Sequence, residues 1–146
     1  MKKKLISILI CDDDKYFRMA LRELISEQGI ILEASSEEES FKIIRENHID
    51  MALIDMDIDG PSSGLKILQE TKKKRIQSII LSSQNEEEII EKAYNAGCDH
   101  FLSKIYYRKH LLPYIHQFKK RFTTDNLSTF FDEKFVTSDT AVSYTH

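Results

Sequence analysis

The chain has 146 residues, enough for one ordinary domain and too few for two well-packed ones. Its 41% hydrophobic and 31% charged residues suit a chain that buries a core and keeps a charged surface, which excludes disordered, collagen-like and low-complexity readings. Lys and Arg total 21 against 24 Asp and Glu, and this net charge of −3 offers no electrostatic reason to bind nucleic acid directly.

Five apolar runs alternate with five amphipathic stretches. Leu5 to Cys11 is the first run. Asp14 then caps a helix whose Phe17, Ala20, Leu21, Leu24 and Ile25 follow i, i+3, i+4 spacing until Gly29 offers a left-handed stop. Ile30 to Ala34 is the second run. Ser36 and Glu39 form a capping box for a helix presenting Phe41 and Ile44. Met51 to Ile54 precedes a weaker helix from Gly64 to about Lys73. Ser78 to Leu81 precedes a helix with Asn85 and Glu88 as its cap pair, carrying Ile89, Ile90, Ala93 and Ala96 and ending at Gly97. Phe101 and Leu102 form the last run, followed by a helix from about Tyr107 to Arg121. Pro113 there argues for a late start or a kink, because proline removes an interior hydrogen bond.

The apolar runs are rich in Ile and Leu and mostly lack apolar/polar alternation, as strands buried on both faces do. Five βα units of this kind imply an α/β fold, a doubly wound five-stranded parallel sheet of order 2-1-3-4-5 with helices on both faces. Ligands in such sheets bind beyond the carboxyl ends of the strands. Those ends are Asp12 and Asp13, Asp55, Ser82 and Lys104. Each alone has an ordinary explanation, since Asp caps helices, Ser populates turns and Lys covers surfaces. Together, three carboxylates, a hydroxyl and an ammonium suit a hard cation such as Mg²⁺ and a phosphoryl group, with one Asp as nucleophile.

Residues 5–12, LISILICD, followed by Asp13 and Asp14, resemble the opening of a bacterial response-regulator receiver domain of two-component signalling. The resemblance continues through Asp50-Met-Ala-Leu-Ile-Asp55, Ile79-Ile-Leu-Ser82-Ser83 and Ala96-Gly-Cys-Asp-His-Phe101-Leu-Ser-Lys104. It covers about residues 4–121 and implies a flavodoxin/CheY-like fold. By resemblance Asp55 is the phospho-acceptor. Asp12, Asp13, Asp55 and the backbone carbonyl of Asp57 hold Mg²⁺, Lys104 pairs with the phosphoryl group, and Ser82 with Phe101 forms the switch. The implied domain is 1–121, with 122–146 a tail or a linker to an output domain. The implied partners are a histidine kinase or phosphotransfer protein, and an output protein or domain on the face made by the fourth and fifth strand–helix units. Homodimerisation on activation is left open. The implied catalysis is limited to the chain's own phosphorylation and dephosphorylation.

Two departures stand out. Ile105 follows Lys104 where the family usually has proline. A cis bond to a non-proline residue costs ~2.5–4 kcal/mol, so a trans bond and a rebuilt loop are expected. The segment from Met56 to Gly64 is one residue longer than usual, and Asp57 is expected to border the pocket and, with Gln84, to tune phosphoryl lifetime. Leu53-Ile-Asp55-Met-Asp57 also resembles the first motif of haloacid-dehalogenase-type phosphohydrolases, which leaves Asp12 and Asp13 without a role. A pseudo-receiver that binds partners without phosphorylation is the third reading.

The remaining features have structural explanations. His48, His100, His110, His116 and His146 lack shared metal spacing, and Lys72 to Arg75 closes a helix where cations favour the dipole. Cys11 and Cys98 form no C-x-x-C and read as reduced, buried thiols. No run approaches the ~18 apolar residues of a membrane span, so a cytoplasmic protein without a membrane anchor is expected. From Phe122 onward the charges sum to −3, so residues 1–121 are neutral, and Phe130, Phe131, Phe135 and Val136 form that stretch's apolar cluster.

Overall fold

The computed structural model describes residues 5–132, with side chains through Arg121. In chain order the elements are β1 (Ile6–Cys11), α1 (Lys15–Ile25), β2 (Gly29–Ala34), α2 (Glu37–Glu46), β3 (Met51–Asp55), α3 (Gly64–Lys73), β4 (Gln77–Ser82), α4 (Glu87–Asn95), β5 (His100–Ser103) and α5 (Tyr107–Asp132). The chain divides into two compact units between Leu111 and Leu112. The first holds the sheet, α1 to α4 and the opening of α5. The second, within the described residues, is the rest of α5 to Asp132.

All strand pairs are parallel, and the order is β2-β1-β3-β4-β5, as the pattern of βα units predicts. The central strands are the most apolar: every residue of β3 is buried, as are five of the six in β1 and in β4. Side chains alternate between the two faces. Leu9, Cys11, Ala52, Ile54 and Ile80 join a core with Ile44 of α2, Ile67 and Leu68 of α3 and Ala93 of α4. The step from β1 to β2 runs opposite to the later steps, so right-handed crossovers put α1, with buried Leu21 and Ile25, on the other face. The order reverses between β1 and β3, and the loops after these two strands leave toward opposite faces. That geometry opens a crevice above their carboxyl ends.

Several sequence expectations need correction. Gly29 is not a left-handed stop: α1 ends at Ile25, and Gly29 opens β2, where an added Cβ would collide with the Ile6 carbonyl oxygen. Ser36 does accept from the Glu39 amide, but the Glu39 carboxylate returns to Ser35 rather than to Ser36. The fourth helix is capped from Glu86 by backbone alone, so Asn85 and Glu88 are not its cap pair. It ends at Asn95, just before Gly97 at φ +102°. Pro113 neither delays nor ends α5, which runs through it. Residues 122–132 continue that helix as backbone. Residues 133–146, including Phe135 and Val136 of the apolar cluster, lie outside the described residues. Among the described residues no helix is long and apolar enough to cross a membrane.

Candidate functional site

The sheet's hydrogen-bond ladder extends one residue past its strands at the carboxyl rim, and this anchors the site's backbone. The Asp12 amide donates to Ala34 O at 3.0 Å, Met56 to Leu81 O at 2.9 Å, and Lys104 to Ser82 O at 2.8 Å. Asp12, Asp55 and Lys104 are therefore held by β-sheet geometry rather than by mobile loops. Arg18 reinforces the first loop: its Nη1 donates to the Asp12 carbonyl at 2.7 Å while its Nε pairs with Glu33 of β2 at 3.1 Å. α3 begins against the end of β3, where the Gly64 amide bonds to Met56 O at 2.8 Å and an added Cβ would collide with the Asp55 carbonyl.

Asp12, Asp13 and Asp55 converge as predicted, with one carboxylate oxygen from each lying within 4.8 Å of the others. Asp12 and Asp55 are buried, and Asp13 faces solvent. Asp12 Oδ1 accepts from the Asp14 amide at 2.8 Å, and Asp55 Oδ1 from the Asp57 amide at 3.2 Å. The Lys104 ammonium sits 2.7 Å from Asp12 Oδ2 and 3.5 Å from Asp55 Oδ1. Asp12 Oδ2 is buried, and among the described residues its charge is met by the Lys104 ammonium. Three clustered carboxylates facing one ammonium leave negative charge in excess, and this fits a hard divalent cation.

The electrostatics agree. Burial raises the Asp55 pKa to about 6, and the charge of Asp12 adds to it against the pull of Lys104. Asp12 is raised too, by burial first. Burial disfavours the Lys104 charge, but its hydrogen bond to Asp12 and the charges of Asp12 and Asp55 outweigh that and leave it above an ordinary lysine. Carboxylates held above their usual range by burial and one another are what a bound cation would relieve.

The other predicted residues take more particular positions. Ser82 is buried, and its Oγ accepts the Gln84 amide at 3.0 Å, so Gln84 meets the site through its backbone. Phe101 packs against the core on the α2 to α4 face, and its amide donates to the Tyr94 hydroxyl at 3.2 Å. The Asp57 carboxylate does not join the acidic cluster: Oδ1 accepts the Ser62 amide at 2.7 Å and closes its own loop. Ser62, at φ +61°, also receives the Lys92 ammonium of α4 at 2.8 Å. Asp59 accepts the Glu37 amide at 2.6 Å, a turn residue serving as a helix cap. The Lys104–Ile105 bond is trans, and Ile105 is exposed, as the missing proline led one to expect.

Sequence reasoning missed Phe17 and Tyr107. Periodicity places Phe17 on the apolar stripe of α1, yet it is only half-buried and its ring centroid lies 4.5 Å from the Lys104 ammonium. Buried Tyr107 meets that ring edge-on at 5.1 Å. Helical periodicity signals which face is apolar but carries no trace of a cation packed onto one ring of it.

The response regulator receiver domain model matches residues 8–116. Among curated proteins, a cyclic di-GMP phosphodiesterase of Thermotoga maritima is 26% identical over 102 residues, 68% of this chain and 27% of that protein. The transcriptional regulatory protein PdtaR of Mycobacterium tuberculosis is 29% identical over 119 residues, 79% of this chain and 57% of its own length. This chain thus spans about a quarter of the first relative's length and somewhat over half of the second's. A CheY-like receiver domain protein from Methanospirillum hungatei has the same fold, with a TM-score of 0.74 at 22% identity, covering 84% of this chain and 99% of that one.

Proposed function

From the premise that this chain belongs to the response regulator receiver domain family, we propose that it is a phosphorylation-dependent signalling switch with Asp55 as its acceptor. The observation that carries the reading is the convergence of Asp12, Asp13 and Asp55, one carboxylate oxygen of each within 4.8 Å of the others, with the half-buried Lys104 ammonium against Asp12 and Asp55. Asp12, Asp13, Asp55 and the backbone carbonyl of Asp57 would hold Mg²⁺, which when bound supplies positive charge to phosphoryl oxygens. An Asp55 carboxylate oxygen attacks phosphorus. The bond from phosphorus to the donor's imidazole nitrogen breaks, and the freed imidazole takes up a proton from water. Lys104 then exchanges part of its contact with the carboxylates for a phosphoryl oxygen.

Ser82 is the switch hydroxyl. It now accepts the Gln84 amide, and turning toward a phosphorylated Asp55 would break that bond and free the loop before α4. Phe101, tied to α4 through Tyr94, is placed to pass on the change. The donor is a histidine kinase or phosphotransfer protein in the cytoplasm, and the receiver spans residues 1–121. One relative is named for phosphodiester hydrolysis and the other for transcriptional regulation, so the output partner is a protein or domain reading the face made by β4, α4, β5 and the opening of α5. The Asp57 carboxylate bonds the Ser62 amide through Oδ1 and stands outside the cluster of Asp12, Asp13 and Asp55, which weighs against a hydrolase using Asp57 as acid and base.

Incubation with acetyl phosphate and Mg²⁺, followed by intact mass measurement, tests the proposal. The chain should gain one phosphoryl group, base-labile and absent in Asp55→Ala. Continuous hydrolysis of a generic phosphate ester would instead favour the hydrolase, and no adduct with any donor would favour a pseudo-receiver.

A further inference from the structure

The Lys104 stem has four rotatable bonds, and a solvated lysine would sample many positions for its charge. Here the ammonium lies between two carboxylates at 2.7 Å and 3.5 Å, although the loop that follows opens with an exposed Ile105 and exposed Tyr106. The two ion pairs draw the charge inward, and one further contact bears on where it rests. The ring of Phe17 faces the ammonium at 4.5 Å, within the range where a cation is drawn to an aromatic face. The ring itself is braced: buried Tyr107 packs against it at 5.1 Å with planes at 67°, an edge-to-face pair.

The backbone of Phe17 is equally constrained. Asp14 Oδ1 caps α1 by accepting the Tyr16 and Phe17 amides at 2.9 and 3.2 Å, and the Asp14 amide donates to Asp12 Oδ1 at 2.8 Å. Contacts therefore close a circuit, from Asp12 to Asp14, to Phe17, to the Lys104 ammonium and back to Asp12 Oδ2. We propose that Phe17, backed by Tyr107, is a positioning residue for phosphoryl transfer: its ring face holds the Lys104 ammonium against Asp12 and Asp55. This rests on the reading of Lys104 as the group that meets the phosphoryl oxygens. Phe17 touches no reacting atom and acts only through Lys104.

Two measurements separate this inference from the functional reading. In the unphosphorylated chain, ring current should move the Lys104 Cε protons upfield in the NMR spectrum, and Phe17→Leu should abolish the displacement. Acetyl phosphate labelling at saturating Mg²⁺ should slow about fivefold in Phe17→Leu, about 1 kcal/mol, and recover in Phe17→Tyr, which keeps the ring. In a Lys104→Ala background, Phe17→Leu should change nothing further. An unshifted Lys104 resonance in the parent chain, or the same slowing with Lys104 already removed, overturns the inference. A parent chain that takes no phosphoryl group overturns the functional reading, while the resonance still decides the role of Phe17.

Discussion

Asp55, 7% exposed and beside Asp12, ionises against burial and a neighbouring negative charge, and both raise its pKa to about 6. The consequence for stability has a definite sign. Below about pH 4 the carboxyl is protonated whether the chain is folded or unfolded. Between about 4 and 6 the unfolded chain ionises first, which favours unfolding, and above about 6 the whole penalty is present. Asp55→Asn removes it. In metal-free buffer that variant should be more stable than the parent by about 1–3 kcal/mol at pH 7.5, the gap closing toward pH 4. Urea unfolding across that range measures the difference, and parallel curves would show that Asp55 ionises normally. Other residue-scale roles come from single hydrogen bonds, such as the 2.7 Å bond by which the Asp57 carboxylate closes its loop on the Ser62 amide.

Among the elements, the junction of β3 and α3 matters most for the site. The helix starts so close to the strand end that only glycine fits: a Cβ at Gly64 would overlap the Asp55 carbonyl and press on Met56 Cα. The reason is steric, since Gly64 needs no left-handed backbone. Gly64→Ala should cost about 1–3 kcal/mol, the range for overpacking, and should slow acetyl phosphate labelling by shifting Asp55. A fall in the urea midpoint with unchanged m-value would identify lost native packing. A variant as stable as the parent would mean that α3 withdraws at no cost. The start and end of each helix followed local rules less faithfully than its length. Asp14 caps α1 as its sequence position suggests, whereas α4 begins at Glu87 without a side-chain cap.

Across the whole molecule, the three carboxylates join β1 to β3, so a cation bound among them ties the two strands at which the sheet order reverses. Mg²⁺ that binds the folded chain alone must stabilise all of it. The gain is about 2.7 kcal/mol when Mg²⁺ stands at a hundred times its dissociation constant. Thermal unfolding should therefore move to higher temperature with added Mg²⁺, and Asp13→Asn should lose most of that movement. Because Asp13 is exposed, its replacement leaves the core intact. An equal rise in the variant would place the cation elsewhere. The neutral charge of residues 1–121 hides this arrangement, since composition averages an acidic cluster with basic helix ends such as Lys72 to Arg75.

The sequence by itself determined the five βα units, the parallel sheet and the residues at its carboxyl rim. Strand burial and helix amphipathicity are written in residues a few places apart, and the right-handed crossover leaves few topologies. The resemblance to receiver domains pointed to the same rim through short motifs at Asp12, Asp55, Ser82 and Lys104. Only the tertiary structure decided which groups on that rim touch. Phe17 and Lys104 are 87 positions apart, and nothing local distinguishes a ring that faces an ammonium from one that faces the core. The same holds for the Asp57 carboxylate, drawn to the Ser62 amide rather than to its acidic neighbours, and for Gly29, required by the nearby Ile6 carbonyl rather than by a helix end. The first and last are outcomes of close packing between segments distant in the chain, and the Asp57 bond is one of several its own loop could make. That packing selects one partner for each polar group from several that sequence alone allows.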